Sequence, residues 1–137
     1  AQTSIHMIRE WKEKWSFVGG AKQPVIVSVP VKEKATELDI TAEMRAACES
    51  ILAPVCETML DLLTRVEPEY QAKVRNNVIL AGGTSLIVGL SQAIENALAE
   101  LGGGHATVVK DPVFAGSDGG LAIAQDASSS DWEKLSL

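Results

Sequence analysis

Apolar residues recur at spacings of three and four from Ile5 through Ile8, Trp11, Trp15 and Val18. That spacing gathers them on one face of a helix and leaves Arg9, Lys12, Glu13 and Ser16 on the other. Gly19-Gly20 should end the helix, because glycine enters left-handed backbone at little steric cost. The pattern then changes. Pro24 to Val31 is rich in β-branched residues and of strand length, and Pro30 puts its end at an edge. Lys32-Glu33-Lys34 reads as a polar turn and Thr36 to Ile40 as a returning strand, a β-hairpin without the Asn-Gly signature. Thr41 reads as an N-cap, with Glu43 in the first turn. A long stripe follows: Met44, Ala47, Cys48, Ile51, Val55, Met59, Leu62 and Val66. Pro54 should kink or split that helix near Ile51. Glu67-Pro68-Glu69 starts a short further helix with proline in its first turn.

In the second half, Asn76 to Ala81 is a short apolar run between polar residues and Gly82-Gly83, which reads as a buried strand. Thr84 should open a helix carrying Leu86, Leu90, Ile94, Ala97 and Leu101, ended by Gly102-Gly103-Gly104. Ala106 to Val109 is another short strand, and Asp111-Pro112 forces a turn. Ser117 to Gln125 reads as a final helix despite Gly119-Gly120. In the Ser-rich tail, residues 126–137, Asp131 to Lys134 can add one helical turn. Strand, diglycine, helix and strand in succession is an α/β pattern, with parallel strands and a right-handed crossover.

Composition narrows the class. The chain has 137 residues, 46% hydrophobic and 22% charged, so disordered and fibrous classes drop out. Aromatics are only 4%, so the core must rest on Leu, Ile, Val and Ala. Twelve Lys+Arg against 18 Asp+Glu give a net charge of -6. That argues against nucleic acid or an anionic membrane surface as partner, since both need clustered cations. No apolar run approaches the ~20 residues that span a bilayer, and no secretory leader pattern opens the chain. Cys48 and Cys56 fall two turns apart in one helical pattern, too far to bond without distortion. With His6 and His105 they make no metal-ligand spacing, and neither histidine sits in a nucleophilic arrangement with Ser or Cys and an acid. We therefore expect no metal site and no catalytic residue in this chain, and a reducing, cytoplasmic setting.

Three stretches could carry chemistry. Val78 to Leu86 runs a buried strand into two glycines and a helix, which lets a flat or anionic ligand approach the backbone. The plain alternative is a tight turn with no ligand, and a diglycine alone leaves both open. On the first helix, Glu13 can accept hydrogen bonds from ribose hydroxyls, and a long cationic side chain, Arg9 or Lys12, can pack over a base. The plain alternative there is an Arg9–Glu13 ion pair on a solvated face. In Asp111 to Gly120, glycines inside a helix allow either a hinge or a close helix contact.

Taken in order along the chain, these stretches resemble the actin family. Met7-Ile8-Arg9-Glu10-Trp11-Lys12-Glu13-Lys14 resembles the family helix that brings a Lys-Glu pair to the adenosine. Asn77 to Ser85 resembles its adenosine motif, and Ala115-Gly116-Ser117-Asp118-Gly119-Gly120-Leu121 its second connecting motif. Lys12 to Gly19, Glu67 to Ala72 and Val109 to Phe114 are similar to the bacterial actin-like proteins of magnetosome chains. The resemblance covers nearly the whole chain, but only the C-terminal part of such a protein.

It implies an α/β fold, the C-terminal half of an actin-like fold. A small-lobe part with helix and hairpin would span 1–42, a larger ribonuclease H-like α/β part 43–127, and a tail 128–137. It implies ATP or ADP as ligand, with magnesium supplied by the absent half. Arg9, Lys12 and Glu13 would flank ribose and base, and Gly82, Gly83, Thr84, Leu86 and Ile87 would form the opposite wall. The family's phosphate loops and catalytic acid lie upstream of this region, and no Asp-x-Gly-Thr-Gly loop occurs here. The implied role is therefore part of a filament-forming ATPase that does not hydrolyse ATP by itself and binds nucleotide weakly or not at all in isolation. Its expected partners are further actin-like subunits, including its own copies, in filaments alongside magnetosomes. Two other readings stay open: a nucleotide-independent module that caps or regulates an actin-like filament, and the C-terminal lobe of a sugar kinase or chaperone-type ATPase.

Overall fold

The first helix, α1 (Ile5–Trp15), is capped by Ser4, whose hydroxyl oxygen accepts the Met7 amide at 3.3 Å. The computed structural model describes residues 3–32 and 34–135, so the expectations placed on Glu33 and on the last two tail positions lie outside the described residues. Helix α1 stops at Trp15, short of the glycine pair. The Ser16 hydroxyl donates back to the Lys12 carbonyl, and the chain leaves in extended form. Phe17 then forms a parallel bridge with Val88. Val18 is therefore not on the helix face. It is buried from an extended segment, its amide donating to the Val88 carbonyl at 2.9 Å.

Strands β1 (Ile26–Val31) and β2 (Lys34–Asp39) form the antiparallel hairpin, with Val31 opposite Lys34. β2 begins two residues earlier than its hydrophobic pattern indicates, because the loop is only two residues long. Lys32 in that loop has φ 47°, the left-handed backbone that tight hairpin turns require. Val27 and Val29 of β1 face the core, while β2 is exposed along its length.

Helix α2 (Thr41–Glu49) is not capped by Thr41, which is already its first helical residue. The Asp39 carboxylate does the anchoring: Oδ1 accepts the Thr41 amide at 2.9 Å and its hydroxyl at 2.6 Å. These bonds hold the Asp39 carboxyl below its usual range. The Thr41 Oγ1 in turn accepts the Val25 amide at 2.7 Å and fixes the hairpin to the helix. The expected split falls at Ser50-Ile51, and α3 (Leu52–Thr64) carries Pro54 in its first turn, where no helical amide is lost. α4 (Pro68–Arg75) starts on its proline.

Strands β3 (Val78–Leu80) and β4 (Ala106–Val108) pair in parallel. Between them the chain makes a 3-10 turn over Gly83–Leu86 and then α5 (Leu90–Ala99). The helix expected to open at Thr84 is thus two elements, parted at Gly89, whose φ of 85° no helix can accommodate. Leu86 consequently lies off the buried stripe of Leu90, Ile94 and Leu98, and Leu101 lies beyond the helix. α6 (Ala115–Asp126) begins two residues earlier than expected, and α7 (Ser129–Leu135) is longer than a single turn. Neither buries a residue. The core lies between the inner face of β1, α2, α3 and α5, closed by Phe17 and Val18.

One carboxylate ties α5 to β4. Glu95 Oε1 accepts the Ala106 amide at 2.9 Å and faces His105 Nδ1 at 2.6 Å. The amide bond first, then the imidazole, depress the Glu95 carboxyl below its ordinary 4.5. A depressed carboxyl stabilises the fold above its unfolded pKa, and that contribution fades as pH falls through the folded value. Glu95→Gln is therefore expected to flatten the loss of thermal stability below about pH 4.5, read as melting temperature against pH. An identical acid limb in wild type and variant would show that this tie contributes nothing.

Candidate functional site

The turn after β3 is built by main-chain bonds. Gly82 has φ 83°, in the left-handed region. Its amide donates to the Pro112 carbonyl at 2.6 Å. Its carbonyl accepts both the amide of Ser85 at 3.1 Å and the Ser85 hydroxyl at 2.7 Å. Ser85 is buried, and this bond satisfies its hydroxyl. The turn presents Gly83 to open space: a Cβ added there would meet nothing within 4 Å.

Across from it lies the C-terminal end of α1. The Val18 amide donates to the Val88 carbonyl, and the Val88 amide to the Ser16 carbonyl at 3.2 Å. This main-chain seam holds α1 against the turn and leaves a cleft of ≈ 440 Å³. Lys12, Glu13 and Ser16 form one wall, Gly83, Thr84, Leu86 and Ile87 the other, and Val113 closes an end.

Of the residues singled out from the sequence, Lys12, Glu13, Gly83, Thr84, Leu86 and Ile87 meet in this cleft. Arg9 is exposed on α1 and outside the lining. Gly82 supports the turn rather than facing the gap. No ion pair joins Arg9 to Glu13 among the described residues. Two lining residues were missed. Ser16 falls on the polar side of α1 and looks merely solvated in the sequence. Val113 enters through the Gly82–Pro112 bond, a long-range contact that no local pattern announces.

The cleft has one carboxylate, one ammonium, one hydroxyl on each wall, and apolar side chains at Leu86, Ile87 and Val113. This is the donor set of a site for a flat, hydroxylated, uncharged group: acceptors for hydroxyls and apolar surface for a ring. The residues fit a nucleoside. A roomier groove of ≈ 600 Å³ lies elsewhere, between α3, α4 and β3, and no charged residue lines it. Its volume is larger, but the polar chemistry is at the smaller cleft. No three His, Cys, Asp or Glu among the described residues cluster to hold a metal ion, and no described helix is long and apolar enough to cross a membrane.

No protein-family model matches the chain. Individual proteins do. It is 33% identical over 134 residues to the actin-like protein MamK of Paramagnetospirillum magneticum strain AMB-1, covering 98% of this chain. It is 35% identical over 124 residues to the actin-like protein MamK of Magnetospirillum gryphiswaldense strain MSR-1, covering 90%. The chain spans 39% and 34% of the length of those two relatives. In structure it matches a MamK double helical filament at TM-score 0.88 and 33% identity, over 93% of this chain and 39% of that one. It also matches a non-polymerising MamK mutant bound to AMPPNP at TM-score 0.82 and 33% identity, over 90% of this chain and 38% of that one. The expected resemblance to bacterial actin-like proteins is borne out, and the fold is a partial actin-like fold.

Proposed function

We propose, from the premise that this chain is homologous to part of the actin-like MamK proteins, that it forms the adenosine side of the nucleotide cleft of a filament-forming ATPase. The observation that carries this reading is the meeting of Lys12, Glu13, Gly83 and Thr84 across one gap. Glu13 accepts the ribose hydroxyls, and the methylene stem of Lys12 lies along the base. Gly83 lets the nucleoside rest on the backbone, and Leu86, Ile87 and Val113 supply apolar contact to the ring. A similar solved structure is described as bound to AMPPNP, which supports an adenine nucleotide as the ligand class. When bound, the nucleotide supplies the phosphoryl group, and the acidic and phosphate-gripping groups come from the part of the polypeptide this chain does not match. Magnesium belongs with that part too. Filament contact with further actin-like subunits is supported by the double helical filament that the chain resembles, and a role in magnetosome chain organisation in the cytoplasm is part of the same reading, resting on the sequence resemblance alone.

The test uses a chimera in which this chain replaces the matching stretch of the P. magneticum MamK. Gly83→Val is the informative variant, because a Cβ there meets nothing of the fold within 4 Å and stands at the wall of the cleft, where it would take up space a ligand needs. It is expected to leave the melting temperature unchanged and to weaken ATP binding by about tenfold or more, measured by titration calorimetry. Unchanged affinity would reduce the diglycine to a plain turn and sink the assignment.

A further inference from the structure

Ser16 stands in the wall of the cleft with its polar atoms already committed. Its amide donates to the Lys12 carbonyl at 3.2 Å, and its own carbonyl accepts the Val88 amide at 3.2 Å. Its hydroxyl donates to the same Lys12 carbonyl. A carbonyl oxygen has no proton to give, so the direction of this last bond is fixed and Ser16 is the donor. A serine hydroxyl carries one proton and two lone pairs. With the proton turned back into α1, Oγ can offer a ligand only an acceptor. Among the described residues no donor reaches those lone pairs.

The other polar side chains of the cleft do not have this one-sided character toward a base. The Lys12 ammonium can only donate, and it would serve a ring nitrogen as well as an oxygen. The Thr84 hydroxyl makes no hydrogen bond among the described residues and can turn to donate or accept. Glu13 is taken by the ribose in the reading above. Ser16 follows Glu13 by three residues, about one helical turn or ~4.5 Å along α1. Its bond to Val88 sets it beside Ile87, one of the apolar residues of the opposite wall. A nucleoside held through its ribose at Glu13 therefore brings its ring to the end of the cleft where Ser16 and Ile87 meet.

We infer that Ser16 is a specificity-determining residue of this cleft, and that its Oγ selects a purine carrying an amine at C6 over one carrying an oxygen there. An exocyclic amine donates into the free lone pairs of Oγ. A 6-oxo group would set two acceptors face to face, and Ser16 could turn a proton toward it only by giving up the bond to Lys12. Selection then comes as much from the mismatch with the wrong base as from the bond to the right one. The inference rests on the nucleoside reading of the cleft and adds to it the class of base.

The test uses the same chimera with P. magneticum MamK and two ligands, ADP and IDP, which differ only at C6 and in the proton that N1 then carries. Titration calorimetry should give ADP about tenfold or more tighter than IDP. Ser16→Ala should weaken ADP several-fold, leave IDP unchanged or tighter, and bring the ratio close to one. The variant should keep its melting temperature, because the Lys12 carbonyl still accepts the amide of residue 16. Ser16→Thr keeps the hydroxyl on the same extended backbone, φ -59° and ψ 132°, and should keep the preference. Equal affinity for ADP and IDP in the unmutated chimera would overturn the proposal. So would a Ser16→Ala variant that weakens both by one factor, the mark of a merely structural role, or a Ser16→Thr variant that loses the preference. Equal affinities that Gly83→Val still weakens would leave the nucleoside cleft standing and remove only the role of Ser16. Binding of neither ligand would remove both.

Discussion

Gly89→Ala is expected to destabilise the protein by about 3 kcal/mol, more than its single added methyl suggests. Gly89 sits at φ 85°, where an L side chain costs about 1–2 kcal/mol. A Cβ there would also lie 2.7 Å from the Val18 carbonyl oxygen and 3.4 Å from Val18 Cγ2. Backbone cannot swing aside as a flexible side chain can, so the methyl must push Val18 off Val88. That shift strains the seam that sets α1 against the 3-10 turn, so the variant should lose ligand affinity along with stability. Urea unfolding midpoints would measure the first effect. A midpoint within experimental error of wild type would mean that the turn relaxes freely and the seam is not rigid.

Leu98→Ala is expected to cost roughly 2–5 kcal/mol, the range for emptying a packed leucine site. Leu98 is 0% exposed, the deepest side chain of α5. Its Cδ1 lies 2.6 Å from where a Cβ on Gly104 would stand, so the loop glycine and the leucine fit one another. Truncation leaves a void between α5 and the loop that carries His105 and leads into β4. In a fold with so much open surface, the few fully enclosed side chains carry an outsized share of stability. The same denaturation experiment checks it. A loss below about 1 kcal/mol would show that the loop collapses into the space.

These two sites also show what the sequence can and cannot disclose. A long apolar period predicts α1 and the α2/α3 pair split at Ser50-Ile51; in the second half the short runs predict the two parallel strands with a helix between them, but neither the 3-10 turn that precedes α5 nor the exposure of Ile79 in a strand expected to be buried. Leu98 missed its place among the residues assigned to the α5 face. The expected stripe holds Leu90 and Ile94 but steps three residues from Ile94 to Ala97, where the buried position is Leu98, four residues on. Thr41 reads as an N-cap by residue type, but the cap position is Ile40, and Asp39 one residue before it accepts the Thr41 amide, since the boundary depends on the φ and ψ of the junction and not on residue type alone. In the cleft, Glu13 and Gly83 could be named because each stands in a recognisable local motif. Ser16 and Val113 could not, because they reach the gap through bonds between distant main-chain atoms, Val88 to Ser16 and Gly82 to Pro112.

The seam between residues 16–18 and Val88 has a consequence for variation among related chains. Both of its hydrogen bonds run between peptide groups, so the aperture between Glu13 and Gly83 is fixed whatever side chains decorate Ser16, Val88 or Ile87. The walls can therefore drift in size and polarity, retuning what the gap prefers, while its width stays constant. Only residues that disturb the peptide planes themselves, such as a proline at Val18 or Val88, would jam it.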